Sequence, residues 1–208
     1  MSKRFRKPQK NKKRIVILVV VGVLLLLILL LLWLRRSAFF GDRPVLTVET
    51  PQKIDLSETE EFTLDVTVST FGEADYPAAS MSITFDPSRL EFLGVEEGNV
   101  FVYSSEDGVS QKLPEWSCSA EQSNRAGKIN IMYLDTTGGR NAFSKALLAQ
   151  ENNVVLRLRF RLRGSVRAGD VCDLIFEDAV FAASNEAESL AMTRNTLIVR
   201  NGKIVIGE

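Results

Sequence analysis

Histidine is absent from the 208-residue sequence, and only two cysteines are present. Histidine is the commonest ligand of zinc and a frequent general base, so its absence removes the usual chemistry of both kinds of site. No nucleophile motif or metal-ligating cluster is visible in the sequence. Paired carboxylates, which could serve a glycosidase, occur at Glu60-Glu61 and Glu96-Glu97, but these are strand-edge and turn positions where acidic residues are ordinary. We therefore expect a protein without enzymatic activity and without a cofactor.

Acidic residues are missing from the first 36 positions, which hold ten lysine or arginine residues. All 26 acidic residues lie in residues 37–208 against 16 basic ones, so this part of the chain has a net charge of −10. An acidic domain repels a phosphate backbone, because nucleic-acid binding depends on lysine and arginine contacts with phosphates. We expect no nucleic-acid partner.

One long apolar run, Ile15–Leu34, contains no charged residue. A helix of that length rises about 30 Å, which matches the hydrocarbon core of a bilayer. Eight basic residues precede the run and two follow it, so the positive-inside rule places the N-terminus in the cytoplasm. A cleaved signal peptide is the alternative, but it would have a shorter apolar region and small residues at its cleavage site.

The run therefore divides the chain into four parts. We expect a basic cytoplasmic tail at residues 1–14, a transmembrane signal anchor at 15–34, a linker at 35–44 and an extracellular domain at 45–207. This arrangement predicts a single-pass protein of the cell membrane with its C-terminal domain outside the cell.

Period-two alternation dominates the sequence after residue 44. In Leu156–Arg163 every apolar residue is followed by an arginine, which is typical of a half-buried strand. About nine short segments of this kind predict an all-β antiparallel sandwich. Asn201-Gly202 predicts a hairpin turn, and residues 122–127 resemble a turn. The best helix candidate is short, at residues 142–150.

Four segments together resemble the cohesin domain family. They are SITFDPSRLEFLGVEEGNVF (82–101), GKINIMYLDTTGG (127–139), VVLRLRFRLRGSVRAGD (154–170) and FEDAVFAASNEAES (176–189), followed by NGKIVI. The resemblance implies a nine-stranded jelly-roll sandwich that binds a dockerin-like domain in polysaccharide-degrading assemblies, here as a membrane-anchored single copy. Calcium, if involved, is expected on the partner.

The resemblance also assigns the arginine strand to the sheet opposite the partner-binding face. It places Arg157, Arg159 and Arg161 beside the strand of Glu61 and Asp65, on a solvated face with opposite charges paired across strands. Contact with membrane phosphates and a specific ligand site are the alternatives for these arginines.

The expected partner face is centred on the strands at 78–85 and 128–135. With Met132 and Leu134 taken as inward, Ile129, Ile131 and Tyr133 on the strand at 128–135 point outward. The opposite parity is left open, because this assignment turns Asn130 inward, where it would need buried partners. The candidate partner-binding residues are Ser80, Ser82, Ile129, Ile131, Tyr133, Asn185, Glu186 and Glu188.

Two further expectations depend on this assignment. Carbohydrate binding is the alternative function, and it requires exposed aromatic residues, for which Trp116 and Tyr133 are the candidates. Cys118 is expected beside the 128–135 strand and Cys172 on a strand at the opposite edge, so we predict two free, buried thiols.

Overall fold

The computed structural model describes residues 20–28, 43–51, 53–56, 61–100, 116–148, 152–184 and 190–208. Residues 20–28 are helical, and their side chains are exposed. Within these ranges, no helix has the length and apolar character needed to cross a membrane. Only residues 20–28 of the predicted anchor, Ile15–Leu34, are described, and the predicted tail at 1–14 lies outside the described residues. The other described residues belong to the unit Arg43–Glu208.

Two five-stranded sheets form the sandwich, in the orders β4-β7-β2-β1-β9 and β10-β8-β3-β6-β5. All strand pairs are antiparallel except β1 with β9, which is parallel. The all-β sandwich is confirmed, but the described part of the chain holds ten strands where nine were predicted. The strands are β1 (Val45–Val48), β2 (Glu61–Val68), β3 (Ala78–Thr84), β4 (Leu90–Glu97), β5 (Trp116–Ser117), β6 (Lys128–Leu134), β7 (Val154–Leu162), β8 (Val171–Ala182), β9 (Ile198–Arg200) and β10 (Gly202–Val205).

Aromatic side chains on the inner faces fill the space between the sheets. Phe160 of β7 lies 5.5 Å from Phe92 and 5.7 Å from Phe85, measured between ring centroids. At the other end of the core, Phe143 contacts Tyr133 at 5.0 Å. Each such ring stabilises the fold by about 1.5–3 kcal/mol through burial alone. Because these side chains point into the core, the alternate residues of each strand form the outer faces of both sheets.

The turn at Asn201 is not the predicted hairpin. β9 pairs with β1 in one sheet, whereas β10 pairs with β8 in the other, so the chain changes sheets at this point. The Asn201 side chain accepts a hydrogen bond from the Phe176 N–H at 3.0 Å. A Cβ on Gly202 would lie 2.9 Å from the side chain of Val48, so the crossing requires glycine for close approach rather than for a two-residue turn.

A short helix, Ala120–Ala126, occupies most of the segment that was predicted to be a turn. The Ser119 hydroxyl caps its N-terminus by accepting from the Gln122 N–H, and Gly127 ends it at a φ of 65°. The best helix candidate in the sequence, residues 142–150, contains one 3₁₀ turn, Lys145–Leu147, within its described part, 142–148.

The arginines of β7 form ion pairs with acids on both neighbouring strands, and we call this set the arginine ladder. Arg157 contacts Asp65 at 3.0 Å, and Arg159 contacts Glu61 at 3.0 Å and Glu96 at 3.2 Å. Arg161 also binds Glu61 and lies 3.7 Å from Glu91. The predicted position of the arginine strand beside the strand of Glu61 and Asp65 is confirmed, and the antiparallel register places Arg161 opposite Glu61 and Arg157 opposite Asp65.

Glu61 makes the stability of the domain depend on pH. Hydrogen bonds from Arg161 and then Arg159 lower the pKa of this carboxyl below its ordinary value of 4.5. A lowered folded pKa stabilises the fold above the ordinary value, and this contribution is lost as the pH falls through the folded pKa. We expect Glu61→Gln to lower the Tm by a few degrees at pH 7, and this difference to shrink as the pH falls below the ordinary pKa of the carboxyl, measured by circular dichroism. A difference that stays constant as the pH falls would contradict this.

Both cysteines are free. Cys172 is buried on β8, which is second from the sheet edge because β10 lies outside it, and Cys118 is half-buried just after β5. Their strands are three spacings apart, about 14 Å, which exceeds the roughly 7 Å limit for a disulfide. The predicted free thiols are thus confirmed, but the edge position of Cys172 and the full burial of Cys118 were wrong.

We expect two reactive thiols per chain after denaturation without reductant. Burial raises the pKa of both thiols, so the folded protein should react slowly with iodoacetamide at pH 7. Mass spectrometry of non-reduced peptides provides the measurement, and a Cys118–Cys172 disulfide peptide would contradict the strand order.

Candidate protein-binding face

The outward side chains of β8, β3 and β6 form one continuous surface, which we call the docking face. The face was predicted to be centred on the strands at 78–85 and 128–135; β3 is the central strand of its sheet, with β6 on one side and β8 on the other. The register aligns these side chains in rows across the three strands. The rows are Ala182–Ala78–Leu134, Val180–Ser80–Met132, Asp178–Ser82–Asn130 and Ile175–Thr84–Lys128.

The parity predicted for β6 is wrong. Ile129, Ile131 and Tyr133 are buried, with exposed fractions of 0%, 1% and 4%, whereas Met132 and Leu134 are 63% and 65% exposed. Ile129 and Ile131 pack inward because they lie opposite the buried residues Ile83 and Met81 of β3. The three predicted contacts on β6 are therefore core residues.

Hydrogen bonds on both sides of β6 fix this orientation. The Tyr133 hydroxyl donates to the backbone oxygen of Asn141 at 2.6 Å inside the core. On the outer side, the Ser82 hydroxyl bonds to the side-chain oxygen of Asn130 at 2.8 Å. Asn130 and Lys128 share the parity of Met132 and Leu134, so these polar residues were the sequence signal for an outward face.

Met132 and Leu134 are the most exposed large apolar side chains among the described residues of Arg43–Glu208. They stand beside the small side chains of Ala78 and Ser80 on the central strand. Val180 and Ala182 flank the same two positions on β8. The result is a shallow apolar trough, with small residues at its floor, of the kind that marks partner sites.

Polar side chains border the trough at its other end. Lys128 forms an ion pair with Glu177 at 2.5 Å, reaching across β3. Glu177 is the extra residue of a bulge in β8, where the register with β3 shifts between Ser82 and Ile83. The docking face thus has an apolar half and a polar half.

The loop after β6 holds the apolar end of the face in place. Both Asp135 carboxylate oxygens accept hydrogen bonds, from the Thr137 N–H at 2.7 Å and the Gly139 N–H at 2.7 Å. Burial alone would raise the pKa of Asp135, but the hydrogen bonds from Thr137, Gly139 and Asn141 outweigh it and lower the pKa. The ionised carboxylate therefore fixes the loop next to Leu134 at neutral pH.

The other functional residues predicted from the sequence lie in different parts of the structure. Ser80 is exposed and Ser82 is half-buried, and both lie on the docking face. Asn185, Glu186 and Glu188 lie outside the described residues. The two aromatic candidates for sugar stacking pack against each other at 5.3 Å, with Trp116 half-buried and Tyr133 in the core, so they do not form an exposed pair.

The chain belongs to the cohesin domain family, whose model matches residues 50–199. Cohesin domains are non-catalytic protein-binding modules. No curated protein matches the chain at a significant level.

Solved cohesin structures share the fold at low sequence identity. The third cohesin of ScaC from Acetivibrio cellulolyticus, solved with the ScaB dockerin, has 12% identity and a TM-score of 0.58 over 79% of this chain and 99% of that chain. The OlpA cohesin of Clostridium thermocellum, solved with Doc918, has 15% identity and a TM-score of 0.56 over 79% and 99%. CaCohA2 of Clostridium acetobutylicum has 17% identity and a TM-score of 0.53 over 80% and 92%.

Proposed function

We propose that the protein binds a dockerin-like domain through the docking face. The observation that carries this proposal is the exposure of Met132 and Leu134, at 63% and 65%, beside small residues of the central strand. A partner that covers such exposed side chains gains binding free energy, because the burial of apolar surface contributes about 25 cal/mol per Å². Family membership and the dockerin complexes of the similar cohesins support the same partner class.

The opposite face of the sandwich is less suited to binding a partner. Its arginines are already neutralised by acids of β2 and β4, so a partner would have to displace existing ion pairs. Membrane phosphates would meet the same obstacle. We assign the arginine ladder to stabilising its sheet rather than to binding.

The same proposal includes a membrane anchor at Ile15–Leu34, with the basic tail in the cytoplasm and the cohesin domain outside the cell. Its support is the twenty-residue uncharged run and the excess of basic residues before it. The protein would then hold a dockerin-bearing partner at the cell surface, within a polysaccharide-degrading assembly.

Protease added to intact cells should remove the domain and leave the tail, whereas release of a mature protein beginning after Arg36 would contradict the anchor.

Binding to dockerins can be tested directly with residues 43–208. We expect at least one dockerin of a recombinant panel, which includes ScaB of A. cellulolyticus and Doc918 of C. thermocellum, to bind in calcium and to be released by chelator. Because we place calcium on the partner, the chelator should leave the Tm of the cohesin domain unchanged. A panel without any binder, or binding that persists in chelator, would count against the proposal.

A further inference from the structure

One acidic side chain on the docking face has no basic partner within the described residues. Glu177 is paired with Lys128, whereas Asp173 lies beyond the last row of the face, where it forms no ion pair with a described residue and has Lys203 of β10 as its cross-strand neighbour. Asp178, in the row of Ser82 and Asn130, forms no ion pair with any described lysine or arginine. Arg194 lines the same small cavity as Asp178 without forming an ion pair to it.

Hydrogen bonding also leaves Asp178 open toward a partner. One carboxylate oxygen accepts from the Ala179 N–H at 3.0 Å, and no described residue donates to the other. Its row neighbours Ser82 and Asn130 already bond to each other. The polar half of the docking face therefore presents one carboxylate that forms no ion pair with a described residue.

The dimensions of the trough fit an α-helix. Two strand spacings separate β8 from β6, about 9.6 Å, close to the roughly 10 Å diameter of a helix with its side chains. Successive rows are about 6.8 Å apart along the strands, whereas residues i and i+4 of a helix are about 6 Å apart. Two aliphatic residues one turn apart would cover the rows of Leu134 and Met132, and the next turn would lie over Asp178.

Resting on the proposed dockerin binding, we propose that this protein selects a partner helix with aliphatic residues at i and i+4 and a lysine or arginine at i+7 or i+8 that pairs with Asp178. The apolar trough supplies the affinity, and the carboxylate sets the direction of the helix and the charge that it must carry. A helix with an acidic residue at that position would place like charges together and bind more weakly.

A selection experiment tests this directly. A yeast-displayed library of the ScaB dockerin of A. cellulolyticus, with its exposed helix positions randomised, is selected in calcium against the full chain in detergent. Parallel selections use Asp178→Lys and the control Asp173→Lys, which reverses a charge on the same strand beyond the last row of the docking face, opposite Lys203 of β10. The affinity of individual clones is then measured at low and high salt.

We expect lysine or arginine to be enriched at one helix position against the wild type and against Asp173→Lys, and aspartate or glutamate to be enriched there against Asp178→Lys. Clones selected on the wild type should bind Asp178→Lys at least tenfold more weakly, with a difference that shrinks in high salt. Binders whose sequences do not change with Asp178→Lys would overturn this inference and leave dockerin binding intact. Failure to select any binder, while the ScaC cohesin selects them, would overturn dockerin binding itself.

Discussion

Changing Met132 and Leu134 together to aspartate is expected to abolish dockerin binding without unfolding the domain. Both side chains are mostly exposed in the free protein, where such a change costs about 0.5 kcal/mol or less per site. In the complex the same carboxylates would be desolvated without a counter-charge, which typically costs 2 kcal/mol or more, or a loss of at least about thirtyfold in affinity. Calorimetric binding and thermal melting of residues 43–208 provide the two measurements.

The matched control changes the other face of the sandwich. Replacing Arg157, Arg159 and Arg161 with glutamine removes the arginine ladder, whose ion pairs are solvent-exposed and therefore contribute little to stability. This variant should melt slightly earlier and bind dockerin as the wild type does. Loss of binding in the arginine variant, with binding retained in the aspartate variant, would move the functional site to the opposite sheet.

Ile131→Asp is expected to unfold the domain or bring it close to unfolding. Ile131 is 1% exposed and lies opposite the buried Met81, so an aspartate there would be an unpaired carboxylate in the core. Burying such a group costs several kcal/mol, a large part of the 5–15 kcal/mol that stabilises a typical domain. Urea denaturation followed by tryptophan fluorescence measures the change.

Met132→Asp is the control for this second result, because it places the same charge one residue further along β6 on the exposed face. The two variants should differ by several kcal/mol in free energy of unfolding. If they proved equally stable, the orientation of β6 would not be the one described above.

The pattern of strands and the arginine ladder could be predicted from the sequence because each depends on regular alternation. In Leu156–Arg163 every second residue is charged, so only one orientation buries the apolar side chains. β6 offers less information, because Ile129 and the four residues from 131 to 134 are all apolar. Only Lys128 and Asn130 distinguish its two faces in the sequence, so the orientation of β6 is determined by its pairing with β3.

Two other differences between prediction and structure have different causes, the first in distant contacts and the second in local signals. Asn201-Gly202 has the composition of a hairpin turn, but the parallel pairing of β9 with β1 places the two flanking strands in different sheets. The Ala120–Ala126 helix, in contrast, has recognisable signals in Ser119 and Gly127, the N-cap and C-cap positions, which the turn prediction overlooked.

Methyl NMR of the dockerin complex tests the central claim most directly, because it reports on the two sheets separately. With methyl-labelled residues 43–208 and a dockerin that binds, the Met132 and Leu134 methyl signals should shift most on titration. The methyl signals of Leu158 in β7, under the arginine ladder, should change little. Large shifts in β7 together with unchanged Met132 and Leu134 signals would contradict the assignment of the docking face.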